Sequence, residues 1–135
     1  MSEQIRGVDH VGVMVADLEA AGAFLADTLG LELAREGEVP ALGVKTRFYT
    51  CGPVTIEVFQ PTDPAVADRE LNGAPAKVEH IAIRVESLEA TIAELGEKGV
   101  GFLHDAPVET GPNMSAYTDP ATAAGIMFQL FAPKA

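Results

Sequence analysis

Apolar and polar residues alternate along 9–15, where Val11, Val13 and Val15 share one face and His10, Gly12 and Met14 the other. A period of two predicts a half-buried strand. Asp17 then offers an N-cap oxygen, and Leu18, Ala21, Leu25 and Leu29 fall at helical spacing until Gly30. That pattern predicts a helix over about 17–29. Short apolar runs punctuated by Gly and Pro predict strands at about 31–36, 44–51 and 54–60. The order then returns: alternation over 78–85, Ser87 as cap, Leu88, Ile92 and Leu95 as the apolar stripe, and Gly99 as stop. This predicts a second helix near 87–98 and strands at about 100–104, 114–118 and 125–131.

The recurrence is also literal. Asp9-His10-Val11-Gly12-Val13-Met14-Val15-Ala16-Asp17-Leu18-Glu19-Ala20 aligns without gaps on Glu79-His80-Ile81-Ala82-Ile83-Arg84-Val85-Glu86-Ser87-Leu88-Glu89-Ala90. Near the ends of the halves, Thr55-Ile56-Glu57-Val58-Phe59 runs against Met127-Phe128-Gln129-Leu130-Phe131, with Glu57 opposite Gln129. Two matches in one register argue for a duplicated unit of about 60–70 residues. The expected architecture is α+β: two tandem βαβββ modules, about 5–61 and about 78–133, forming one curved mixed sheet or cup with the helices outside. A linker at about 62–77 is rich in Pro, Asp and Ala and has room for a helical turn around Ala65–Leu71. Neither half is large enough to bury its sheet alone, so the expectation is a single domain over residues 1–135.

Composition narrows the function classes. Hydrophobic residues make up 47% and charged residues 21%, the balance of a folded globular chain. Nine Lys+Arg stand against twenty Asp+Glu, for a formal net charge of −11, and no basic cluster is present. A nucleic-acid partner is therefore not expected, because repulsion would act at every phosphate. No apolar run approaches the roughly 20 residues that cross a bilayer, so no membrane span is expected. The opening Met1-Ser2-Glu3-Gln4-Ile5-Arg6 lacks the basic-then-apolar order of a signal peptide. With a single cysteine, Cys51, it makes the cytoplasm the expected compartment. What remains is an enzyme or a binding protein for a small molecule.

Alternation points to the chemistry. If the β-branched residues face the helices, His10, then Thr55, Glu57 and Phe59, then His80, Ala82 and Arg84, then Met127, Gln129 and Phe131 lie on the inner faces of four strands. Should the sheets curve together, His10, Glu57, His80 and Gln129 converge in a cup lined by Met14, Phe59, Met127 and Phe131. Two imidazoles, a carboxylate and an amide oxygen form a first shell for a divalent ion with open positions. Nitrogen and oxygen donors without sulfur suit Fe, Mn, Co, Ni or Zn. A lone histidine on a strand is ordinarily a core or surface residue. Here two sit at equivalent positions of a repeat, and a carboxylate occupies a buried face where it would be costly without a cation or donor.

Asp9-His10-Val11-Gly12-Val13, Val39-Pro40, Gly43-Val44, Ile56-Glu57-Val58, Glu79-His80-Ile81-Ala82, Asp119-Pro120 and Gly125-Ile126 together resemble the vicinal oxygen chelate superfamily. Within it, the spacing is most similar to methylmalonyl-CoA epimerases and their glyoxalase-like relatives, from Val8 to Pro133. The resemblance implies a metal held by His10, Glu57, His80 and Gln129, and a substrate surface including Thr46, Phe59, Arg84, Met127 and Phe131. Three departures from the family pattern stand out. Gln129 replaces a usual glutamate, Thr46 stands where an acid/base glutamate is found, and the loop 119–125 lacks the lysine of a His-Pro-Lys motif. The last removes a grip on CoA phosphates.

The function implied is a metal-dependent epimerase or isomerase, or a lyase of glyoxalase type, polarising a carbonyl substrate. The alternative is a metal-free binding or antibiotic-resistance protein that sequesters an apolar ligand in the same cup. A ring-cleaving dioxygenase ranks last, since it would want its carboxylate at position 129. Epimerisation also needs a proton acceptor. Glu38, Tyr49, Tyr117, Asp119 and a metal-bound hydroxide are the candidates, while His104 has no partner in the pattern, and of Lys45 and Arg47 at most one points inward. Exposed sheet edges make a homodimer the expected assembly.

Overall fold

The computed structural model describes residues 2–135. In chain order they form β1 (Ile5–Val15), α1 (Leu18–Ala23) continued by a π-helical turn (Phe24–Thr28), β2 (Glu32–Val39), β3 (Val44–Cys51) and β4 (Val54–Pro61). Then follow α2 (Pro64–Leu71), β5 (Ala76–Val85), α3 (Leu88–Glu97), β6 (Val108–Thr110), β7 (Asn113–Tyr117), a 3-10 turn (Pro120–Thr122) and β8 (Phe128–Pro133). Helices and mixed parallel and antiparallel strands give the α+β class expected. The chain divides into two compact units: His10–Glu79, and His80–Ala135 joined by the segment up to Asp9. The division falls within β1 and β5, so the first residues of β1 group with the second repeat rather than the first.

In the unit His10–Glu79 the strands are ordered β2-β3-β4-β1. β1 runs parallel to β4, pairing His10 with Thr55, Gly12 with Glu57 and Met14 with Phe59. β3 is antiparallel to both neighbours. One face of this sheet packs on α1 through Val15, Leu18, Leu25, Tyr49 and Val58, with Val13, Ala21 and Ile56 against them. Met14 and Phe59 lie on the other face, where they meet Leu71 of α2. The faces are those that alternation required. α2 differs from α1 and α3 in covering the inner side of its sheet.

The helix expected over 17–29 forms, but not with one pitch. Asp17 caps it, its carboxylate accepting the Ala20 N–H at 3.1 Å. From Phe24 it widens, the Leu29 N–H reaching the Phe24 carbonyl five residues back at 3.0 Å. Just before the widened turn, Gly22 lets Tyr49 and Arg47 approach the helix. A Cβ built there would sit 2.6 Å from the Tyr49 hydroxyl and 2.8 Å from Arg47 Nη1. Gly22→Ala is therefore expected to destabilise by about 1–3 kcal/mol through overpacking. Gly96, inside α3 with nothing within 4 Å of its built Cβ, is the control. Gly96→Ala should stabilise by about 0.5–1 kcal/mol, because alanine loses less backbone entropy in a helix. Urea denaturation of both variants checks the pair of opposite signs.

The second unit orders β5-β8-β7-β6. β5 is parallel to β8, with Ala82 beside Gln129 and Arg84 beside Phe131. β7 is antiparallel to β8, with Ser115 beside Phe131 and Tyr117 beside Gln129. Val85, Leu88, Ala116, Leu130 and Ala132 form its core, with Ile5, Ile83, Ile92 and Leu95 packed on it. Gln4 ties in the leading segment, its carbonyl accepting from Glu86 N–H and its side-chain oxygen from Ser87 N–H.

The strand expected at 100–104 is absent; only Phe102 bridges to Thr118. Gly101 donates to Thr122 Oγ1 and accepts from Asp119 N–H, so its backbone bonds go to the 3-10 loop instead of a ladder. The edge position is filled by the three residues of β6. The last strand starts at Phe128 rather than 125, because Ala124 (φ 58°) and Gly125 (φ 84°) turn the chain just before it.

Candidate metal centre

His10, Glu57 and Thr46 are all buried, at 4%, 7% and 6% exposure. The register of β1, β3 and β4 places them on one face of their sheet. Both carboxylate oxygens of Glu57 are addressed. Oε1 lies 3.3 Å from His10 Nε2, and Oε2 accepts the Thr46 hydroxyl at 2.6 Å. Phe48, two residues after Thr46, turns its ring perpendicular to the His10 imidazole at 5.1 Å between centroids. Arg35, opposite Phe48 on β2, covers that ring with its guanidinium 3.9 Å from the centroid. A carboxylate taken out of water needs such partners, since burial alone would disfavour its charged form.

The second unit repeats these contacts. His80, Gln129 and Ser115 are buried on the face of β5, β7 and β8 opposite the α3 core. Gln129 donates from Nε2 to Ser115 Oγ at 2.9 Å, which leaves its Oε1 as the amide atom outside that bond. Ser115 Oγ is in turn 2.6 Å from Thr110 Oγ1. Tyr117, two residues after Ser115, meets the His80 imidazole edge-on at 5.9 Å, and His104 touches the same tyrosine at 6.0 Å. Each unit thus holds a histidine on its first strand, wedged by an aromatic ring. Each also holds an oxygen donor on its last strand, bonded to a hydroxyl. His10, Glu57 and His80 each offer a buried atom of a kind that binds metal ions.

Of the other residues singled out in the sequence, Phe59 and Phe131 are buried on the faces that carry Glu57 and Gln129. Arg84 is exposed at the end of the His80 face, and Met127 is half-buried just before β8. The candidate proton acceptors separate. Tyr49 is in the α1 core, and Glu38 pairs in register with Lys45 on the face away from Thr46. The Asp119 carboxylate caps the 3-10 turn by accepting the Ala121 N–H. Only Tyr117 of the four residues stands beside a histidine. Lys45 and Arg47 share the face of Tyr49, so neither points inward. Arg47 pairs with Glu19 and Glu36, and the hydrogen bond it donates to Glu19 holds its guanidinium above the ordinary pKa. Cys51 is exposed.

Sequence reasoning passed over Ser115, Thr110, Phe48 and Arg35. For two of them a signal was there: Thr46-Arg47-Phe48 and Ser115-Ala116-Tyr117 are the same hydroxyl-x-aromatic triplet at equivalent places in the repeat. Among the described residues, no helix is long and apolar enough to cross a membrane.

Comparisons with known proteins bear on the family and the fold. The model of the Glyoxalase/Bleomycin resistance protein/Dioxygenase superfamily matches residues 9–118. Methylmalonyl-CoA epimerase from Bos taurus mitochondria is 26% identical over 126 residues, 91% of this chain and 72% of the relative. Ethylmalonyl-CoA/methylmalonyl-CoA epimerase of Cereibacter sphaeroides is 33% identical over 107 residues, covering 77% of this chain and 79% of that one. Among solved structures, methylmalonyl-CoA epimerase from Mycobacterium tuberculosis superposes with a TM-score of 0.90, covering 100% of this chain and 93% of the other, at 24% identity.

Proposed function

The chain belongs to the glyoxalase/bleomycin resistance protein/dioxygenase superfamily, and from that premise we propose that it is a metal-dependent epimerase of a 2-branched acyl-CoA thioester such as methylmalonyl-CoA. The observation that carries the reading is the buried Glu57 carboxylate, set between an imidazole and a hydroxyl. Repeat-related His80 and Gln129 supply the matching neutral donors. Curated relatives across the chain are named as epimerases of this kind.

The donor set fits a divalent ion: two imidazole nitrogens, one carboxylate and one amide oxygen, with no thiolate. In this reading His10, Glu57, His80 and Gln129 hold one ion, of the Co, Mn, Ni, Fe or Zn group. Bound there, it would supply a Lewis acid for the thioester carbonyl and so make the neighbouring C–H more acidic. Glu57 contributes the only full negative charge among the four donors. Phe59, Phe131 and Met127 give the acyl group an apolar wall, and the exposed Arg84 gives its polar end a partner. The assembly proposed is a cytoplasmic homodimer, with Val8, Leu33 and Val78 among the exposed apolar residues available to an interface.

Two measurements test the reading. Protein purified from metal-replete medium is expected to carry one divalent ion per chain. In D2O it should exchange the 2-proton of methylmalonyl-CoA in a chelator-sensitive way. Absence of metal under those conditions would favour a sequestering protein of the same fold. Metal without exchange would keep the centre and remove the reaction.

A further inference from the structure

In each unit one buried hydroxyl, on the strand beside the last, bonds the last-strand donor. Thr46 on β3 bonds Glu57 on β4, and Ser115 on β7 bonds Gln129 on β8. Register makes the two hydroxyls equivalent, since Thr46 lies opposite Phe59 and Ser115 opposite Phe131. The bonds run in opposite directions. Thr46 gives its hydrogen to Glu57 Oε2, leaving Oε1 as the oxygen turned toward His10 Nε2. Ser115 accepts from Gln129 Nε2 and shares a second bond with Thr110 Oγ1 in which either hydroxyl can be the donor, and Gln129 Oε1 is the amide atom outside these bonds. Thr46 is 6% exposed and Ser115 0%, so water does not compete for either bond.

We infer that Thr46 and Ser115 are paired positioning residues: Thr46 fixes the plane in which the Glu57 carboxylate is offered to a metal ion, and Ser115 fixes which end of the Gln129 amide is offered to it. The inference rests on the metal-centre reading above. For Gln129 the choice is decisive, because an amide oxygen has lone pairs to give and an amide NH2 has none. Flipping the amide would replace a ligand by a repelling group. The Ser115 oxygen holds the NH2 end of the amide, so Oε1 is the end that remains for the ion. For Glu57, the Thr46 bond ties one oxygen and limits the carboxylate to a single orientation. Outer partners of this kind typically carry about 10–100-fold in metal affinity.

Co(II) titration of the metal-free chain, followed by visible absorption and calorimetry, provides the test. Thr46→Val and Ser115→Ala are each expected to weaken Co(II) binding about 10–100-fold and to alter the d–d bands. Thr46→Ser, which restores the hydroxyl without the methyl, should return to within about threefold of wild type. The urea midpoint of each metal-free variant separates a positioning role from general loosening, because a purely structural role moves that midpoint and leaves the excess loss of Co(II) unexplained. Wild-type affinity and spectrum in both Thr46→Val and Ser115→Ala would overturn the inference. So would equal losses in Thr46→Val and Thr46→Ser, which would assign the effect to packing. A wild-type chain that takes up no Co(II) would remove the metal centre itself, and the inference with it.

Discussion

Glu57→Ala is expected to lose about 10³-fold in metal affinity and, with it, measurable proton exchange. Of the four proposed donors, His10 and His80 ligate as neutral imidazoles and Gln129 as a neutral amide. The whole ligand charge therefore rests on one side chain. A unit charge pair at about 4 Å is worth about 4 kcal/mol at an effective dielectric of 20, and each 1.4 kcal/mol is about tenfold in a binding constant. That figure is conservative for a directly ligating carboxylate. The substitution also strips Thr46 of its acceptor, leaving a buried hydroxyl at 6% exposure to find another. Glu57→Gln separates the two effects, because it keeps the volume and an oxygen while removing the charge. It should retain the metal-free urea midpoint within about 1–2 kcal/mol and still bind Co(II) much more weakly than wild type. Undiminished, stoichiometric metal in Glu57→Ala would place the ion elsewhere and end the present reading of the site.

The repeat made the strand faces of His10, Glu57, His80 and Gln129 legible in the sequence, because a period of two fixes faces even where it says nothing of partners. Val13 and Val15 toward α1, Met14 toward the other side, and Ile83 and Val85 toward α3 all follow from alternation alone. What period cannot carry is the identity of the neighbour across a strand. Thr46 was read as a missing acid and a substrate contact, whereas its hydroxyl is committed to Glu57. That bond depends on the β3–β4 register, a tertiary fact. Residues 100–104 misled for a related reason. Val100, Phe102 and Leu103 have strand composition, but Gly101 spends its backbone groups on Thr122 and Asp119. β6 is only three residues, too short for any period to register. The π-helical turn after α1 keeps helical apolar spacing and so could not be told from α-helix by pattern.

Gln129→Glu is expected to speed proton exchange into methylmalonyl-CoA by about 10²-fold or more, the usual value of a positioned general base being about 10²–10⁴. None of Glu38, Tyr49 and Asp119 is placed to take that proton. Glu38 and Tyr49 face away, and Asp119 is engaged in capping its own turn. Tyr117 stands beside His80, but a phenol must first lose its own proton before it can accept one. A carboxylate at position 129 would supply the acceptor, and the surroundings can accommodate it. It has no N–H for Ser115, so Ser115 must donate to the new oxygen and take its second bond from Thr110. The two hydroxyl oxygens are 2.6 Å apart and either can be the donor, so that arrangement needs no heavy atom to move. A second negative charge also binds the ion more tightly while making it a weaker Lewis acid. The gain should outweigh that loss, because a polarised carbonyl releases its neighbouring proton only slowly until a positioned group accepts it. The comparison is deuterium incorporation by wild type, Gln129→Glu and Glu57→Ala at equal metal occupancy. If wild type exchanges rapidly and Gln129→Glu abolishes exchange, the neutral amide is itself required. The reaction would then be one in which the strongest available Lewis acid matters more than a base on the 129 side.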